Sequence, residues 1–317
     1  MSAICAWCNA PKKSGPLCPD CGADYAKAEA IKNKGKAEPA SAPIEEEIEL
    51  LIEEENQIPV KDPVFEKQVC LFALPSMLAF ALMVQVTGFL AGMQRMFFGM
   101  PIHELGHAIT GWLCGFNSIP TLWKTLIPEN RGYLSSVALL VGLFVLTRYA
   151  LKNKRSGWLV AVVLVLLVQF YGTFVITLSK ADMLITMGGD AMGLILATVL
   201  IGIFYAGKET QLYKGSLRWG FLGVGSAAFM NMYLPWWNKD MSAIGYGLTG
   251  GIPTDSWKMI NIHLWDWDSL FTVHITIGIT CMMILTMAYF LGIRQANIWI
   301  IEKNKQDRLS KLNASCI

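Results

Sequence analysis

Three residues in one short apolar stretch could perform hydrolytic chemistry together. Within Phe97-Phe98-Gly99-Met100-Pro101-Ile102-His103-Glu104-Leu105-Gly106-His107-Ala108-Ile109, the pattern His-Glu-x-x-His is complete. The spacing of His103 and His107 puts both imidazoles on one face of a helix, where they can ligate a single zinc ion. Glu104 then lies beside the metal, placed to take a proton from zinc-activated water and pass it to a leaving amine. Pro101 stands early in this helix, where proline is tolerated. Glu104 is the only Asp, Glu, Lys or Arg between Arg95 and Lys124. An ionisable residue inside a membrane span costs at least ~2.5–3.5 kcal/mol, which marks it as functional. A polar cluster that merely joins helices would set a carboxylate between two imidazoles with no use for it.

A second set of ligand-type residues opens the chain. Cys5, Cys8, Cys18 and Cys21 form C-x2-C-x9-C-x2-C, with Asn9-Ala10-Pro11 and Gly22-Ala23 following the two pairs. Two such knuckles suit one tetrahedral structural zinc, which orders a segment too small to build a core. Disulfides in an exported domain are the alternative, but close C-x2-C pairs favour chelation, and chelation implies a reducing compartment. Cys70, Cys114, Cys281 and Cys316 are scattered and read as packing residues.

The elements that must position these groups are membrane helices. Of the 317 residues, 54% are hydrophobic and 16% charged, against about 25% charged in soluble domains. The charges concentrate in residues 1–68, and no basic stripe accompanies the net charge of +2, so nucleic acid is an unlikely partner. No apolar leader segment opens the sequence. Apolar stretches long enough to span a bilayer lie at 69–93, 96–115, 133–151, 157–178, 183–206, 217–236 and 270–293. None shows the alternation of a barrel strand, so the expected fold is an all-α polytopic membrane protein: six to seven transmembrane helices with a small N-terminal zinc ribbon.

The domain reading is a ribbon over 1–24, a linker with a short acidic helix over 25–68, a multi-span domain over 69–300 and a polar tail over 301–317. Arg148, Lys152, Lys154 and Arg155, then Lys208, Lys214 and Arg218, then Arg294, Lys303, Lys305, Arg308 and Lys311 mark cytosolic connections and a cytosolic C-terminus. The loop 237–269, carrying Asp240, Asp255, Asp266 and Asp268, falls on the opposite side. A cytosolic ribbon fits that parity only if 69–93 is re-entrant or interfacial; whether it crosses is left open.

With these residues in view, the chain resembles the site-2 protease family of intramembrane zinc metalloproteases. The resemblance runs over residues 96–206. It implies a third zinc ligand, an Asp from a later span, which here is Asp190 in Met187-Gly188-Gly189-Asp190-Ala191-Met192-Gly193, with Asp182 as runner-up. It also implies that the stretch after Gly115 supplies a strand whose edge binds extended substrate. This chain has neither the upstream Asn-Pro element nor the Asp-Gly of better-known members.

The expected function is therefore a zinc-dependent endopeptidase that cleaves a membrane-spanning or membrane-proximal peptide in the bilayer, with a second, structural zinc and a protein partner for the ribbon. The alternative is a non-catalytic membrane scaffold, a pseudo-protease that retains a metal site. His263, in an aromatic and acidic loop, reads as a non-ligand, and His274 as a hydrogen-bonded packing residue. Trp236, Trp237, Trp257, Trp265 and Trp267 read as interface anchors.

Overall fold

The computed structural model describes residues 4–5, 10–11, 14–27, 62–154, 156–207, 217–249 and 252–315. It divides into two units, Met1–Val60 and Lys61–Ile317. In the first, the Cys5 amide donates to the Ala10 carbonyl (2.7 Å) and the Cys18 amide to the Ala23 carbonyl (2.9 Å). Bridges Ile4↔Pro11 and Leu17↔Asp24 close the two small hairpins. Gly22 has φ +71°, which only glycine adopts without penalty. Residues 28–61, which hold the expected short acidic helix, lie outside the described residues, as does Cys8.

The second unit is helical. Its elements are α1 (Pro63–Gln85), α2 (Gly88–Gln94), a π-turn (Arg95–Gly99), α3 (Met100–Leu113), strands β1 (Ile119–Pro120) and β2 (Thr125–Leu126), α4 (Leu134–Lys152), and α5 (Ser156–Phe170) with a π-turn over Tyr171–Val175. There follow α6 (Leu178–Ile203), α7 (Leu217–Trp237), α8 (Met241–Ile244), β3 (Leu248–Thr249), β4 (Ile252–Pro253), α9 (Asp255–Asn261) and α10 (Trp267–Ser315). The two hairpins are antiparallel, with Ile119↔Leu126 and Leu248↔Pro253 paired.

Among the described residues, five helices are long and apolar enough to cross a membrane: α1, α4, α5 with its π-turn, α6 and α10. The other two expected stretches are helical as well, as α3 and α7. Residues 69–93 form two helices, α1 to Gln85 and α2 from Gly88, separated by a turn at Val86-Thr87. They begin inside a 23-residue helix, started by the Asp62 cap and Pro63, that runs through Pro75 to Gln85. The expected polar tail continues α10 as helix to Ser315.

Burial identifies the centre. In its most apolar window α6 is 56% buried, against 17–22% for α1, α4 and α5. Leu194, Ala197 and Ile201 of α6 pack with Leu74 of α1, Leu222 and Phe229 of α7, and Cys281 and Leu285 of α10. The motif helix α3 crosses α6 at a patch of glycine, and small residues are what allow helix backbones to touch. A Cβ at Gly106 would lie 2.5 Å from the Gly188 carbonyl oxygen and 2.7 Å from that of Gly189. At the far end of the bundle, Glu66 of α1 takes two hydrogen bonds, 2.6 and 3.1 Å, from the buried guanidinium of Arg218 on α7.

Candidate metal centre

His103 and His107 lie one turn apart on α3, and their ring centroids are 4.6 Å apart. Each ring is tied at Nδ1 to a group that accepts hydrogen bonds. His103 Nδ1 is 2.8 Å from Asp190 Oδ1, and His107 Nδ1 is 2.6 Å from the Ile185 carbonyl oxygen. A carbonyl cannot donate, and an ionised carboxylate cannot either, so these contacts assign the hydrogen of each neutral ring to Nδ1. Both Nε2 atoms then present lone pairs, and they face each other at 3.1 Å.

Asp255 completes the group. Its Oδ2 is 3.1 Å from His103 Nε2 and 3.0 Å from His107 Nε2. Three ligand-type atoms thus lie within about one bond's reach of a common point, a group that could hold a metal ion. A tetrahedral zinc with bonds of about 2.0–2.1 Å sets its donors about 3.3 Å apart, so the site matches to within a few tenths of an ångström. Asp255 contributes a carboxylate oxygen as the third ligand-type atom of the group. Two imidazoles and one carboxylate are a donor set that suits a divalent metal ion.

The surroundings hold these groups in place. Asp190, the expected third donor, sits behind His103 rather than between the rings. Its Oδ1 meets His103 Nδ1, and its Oδ2 accepts from Trp236 Nε1 at 2.8 Å. A metal-bound histidine commonly donates its other N–H to a carboxylate in this way, which fixes tautomer and ring orientation. Trp236, expected as an interface anchor, is instead buried, and stacks face to face on His274 at 3.9 Å and 8°. His274 Nδ1 is 2.9 Å from the Leu270 carbonyl, in keeping with a hydrogen-bonded packing histidine. Gly189 gives the rings space: a side chain there would run into His103 and His107.

Glu104 follows His103 on α3. It is buried, and its Oε2 accepts from Thr125 Oγ1 of β2 at 2.8 Å. Glu104, His103, His107 and Asp255 line one cavity of about 720 Å³. Trp123, Lys124, Thr125 and Ile127 form one side of it, and Ile252, Pro253 and Thr254 another. A two-stranded hairpin, β1 and β2, follows the motif helix, and Thr125 of β2 is the residue that bonds Glu104.

Asp182 lines the same cavity, is mostly exposed and lies 3.5 Å from His263 Nε2; it is not one of the three grouped donors. Among the described residues, Cys5, Cys18 and Cys21 form the other cluster able to hold a metal, with Cys5 and Cys21 Sγ 3.9 Å apart.

Asp255, Trp236 and Thr125 are the site residues that sequence reasoning did not assign. Asp255 is 152 positions from His103 and carries no motif of its own. The one local hint is Thr254-Asp255-Ser256 after Ile252-Pro253, a helix start that leaves a carboxylate on the first turn.

No protein-family model matches this chain, and no similar protein was found among curated proteins or solved structures.

Proposed function

We propose that this protein is a zinc-dependent endopeptidase embedded in the membrane, cleaving a membrane-spanning or membrane-proximal peptide. The observation that carries the proposal is the meeting of His103 Nε2, His107 Nε2 and Asp255 Oδ2 at 3.0–3.1 Å, with Glu104 on the wall of the same cavity. A zinc ion held there supplies Lewis acidity, which brings the pKa of a water ligand to about 7 and polarises a carbonyl.

The chain's own residues do the rest. Asp190 and the Ile185 carbonyl keep each ring's Nδ1 protonated and its Nε2 turned inward. Glu104 carries the proton from the attacking water to the leaving amine, and Thr125 keeps its carboxyl in place. Trp123, Ile127, Ile252 and Met259 give the cavity, of about 720 Å³, apolar walls suited to a peptide segment drawn from a membrane helix. The cysteine cluster of the first unit holds a second, structural zinc, and that unit serves as a cytosolic docking module for a protein partner.

The test is Glu104→Gln in the full-length protein, reconstituted in proteoliposomes with a single-span peptide. Cleavage falls about 10²–10⁴-fold, the usual contribution of a positioned acid–base group, while zinc content stays unchanged. Equal cleavage by Glu104→Gln and wild type would remove the mechanism. A wild type that holds zinc at this centre and cleaves nothing across a panel of such peptides would favour a non-catalytic scaffold.

A further inference from the structure

Most polar side chains on the walls of the cavity are already engaged. Glu104 and Thr125 bond each other, Asp190 serves His103 and Trp236, and Ser256 meets Thr254. His274 of α10 is different. Only 2% of it is exposed, and it lines the same cavity. Its Nδ1 lies 2.9 Å from the Leu270 carbonyl oxygen, which assigns the hydrogen of the neutral ring to Nδ1 and leaves a lone pair on Nε2. Among the described residues no hydrogen-bonding group meets that nitrogen. It is not one of the polar atoms sealed in the protein without a partner, as Gln169 Oε1 and Ser226 Oγ are, so it opens on the cavity. The ring is held on its face as well as its edge. It stacks on Trp236 at 3.9 Å and 8°, and Trp236 is itself anchored by the 2.8 Å bond from its Nε1 to Asp190. Nε2 therefore has a fixed aim, and a group fixed beforehand costs less to bind.

We propose that His274 is a substrate-binding residue, its Nε2 accepting a hydrogen bond from a main-chain N–H of the bound peptide. The inference rests on the endopeptidase reading above and adds a contact that this reading does not assign. A segment drawn out of a membrane helix loses the internal partners of its N–H groups, and in a cavity with apolar walls each unpaired donor weakens binding. His274 satisfies one of them. It takes no part in holding the metal, since it is not a member of the group formed by His103, His107 and Asp255. An imidazole buried in a membrane helix is costly without a use, and this contact supplies one.

A single-span peptide and a series of analogues test the contact in proteoliposomes holding the full-length protein. Each analogue replaces one amide near the scissile bond, never the scissile bond itself, by an ester, which deletes a single N–H. The wild type cleaves one analogue with kcat/KM about 2- to 10-fold below that of the parent, the worth of one hydrogen bond. His274→Phe keeps an aromatic ring against Trp236 and removes the acceptor. It loses a similar factor on the parent, no longer separates the parent from that analogue, and retains wild-type zinc content. His274→Gln, which offers an amide oxygen but no ring, cleaves the parent better than His274→Phe does. A role confined to stacking reverses that order, and the reversed order would overturn the contact. So would a His274→Phe protein that still cleaves that analogue with the wild-type penalty. A wild type that holds zinc and cleaves neither the parent nor its analogues would overturn the endopeptidase reading, and the contact with it.

Discussion

Gly189→Ala adds one methyl group at the place where the two helices of the centre meet, and its effect can be worked from the geometry. An alanine Cβ at residue 189 would stand 2.6 Å from His107 Nε2 and 2.7 Å from His103 Nε2. Carbon and nitrogen in ordinary contact are about a full ångström further apart. Free side-chain ends would swing aside at small cost, but these rings are tethered at their other nitrogens, by Asp190 at 2.8 Å and by the Ile185 carbonyl at 2.6 Å. To accommodate the methyl, one tether must break or the helices must part. Overpacking of this kind costs about 1–3 kcal/mol, which becomes a 5- to 160-fold loss of zinc affinity if it falls on the bound state. Alanine is the better helix former by about 0.5–1 kcal/mol, so folding itself is largely spared. Chelator competition on the purified full-length protein measures the affinity. Gly142→Ala in α4, where a Cβ meets nothing within 4 Å, is the control and leaves zinc binding unchanged. Wild-type zinc affinity in Gly189→Ala would refute the placement of the rings against α6.

Two further substitutions separate support from ligation. Asp190→Asn keeps the shape behind His103 but removes the negative charge on its Nδ1–H. Zinc affinity drops about 10- to 100-fold while saturating zinc still fills the site, as chelator competition and metal analysis together would show. Glu66→Ala removes the carboxylate that receives two hydrogen bonds from the buried Arg218 guanidinium, far from the centre. Thermal unfolding in detergent should then show a loss of about 3–5 kcal/mol. In Glu66→Leu combined with Arg218→Met, most of that stability returns.

The helices and the motif were legible in the sequence because each rests on a local pattern. Bilayer-length apolar runs can be counted, and the four-residue spacing of His103 and His107 determines a shared face before any fold is known. The central place of α6 was not legible, since in a membrane apolar residues face lipid as readily as protein, and hydropathy does not tell the two apart. Its glycines, Gly188, Gly189 and Gly193, were the useful sign of close packing. Asp190 was placed in the right neighbourhood, but helical periodicity cannot say which of the two nitrogens of His103 a carboxylate will meet. Asp255 stood in view only as one of four acids in a connecting loop. Its approach to the rings depends on how the chain from Asn238 to Asp266 folds back, and that is a long-range property with no periodic trace.

The account stands on a cation held by His103 and His107, and the zinc count of the purified full-length protein tests it most directly. Two zinc ions per chain in the wild type and one in His103→Ala are expected, the remaining ion belonging to the cysteine cluster. An equal count in the two proteins would mean that the paired imidazoles hold no metal, and the proposed hydrolytic centre would be lost with it.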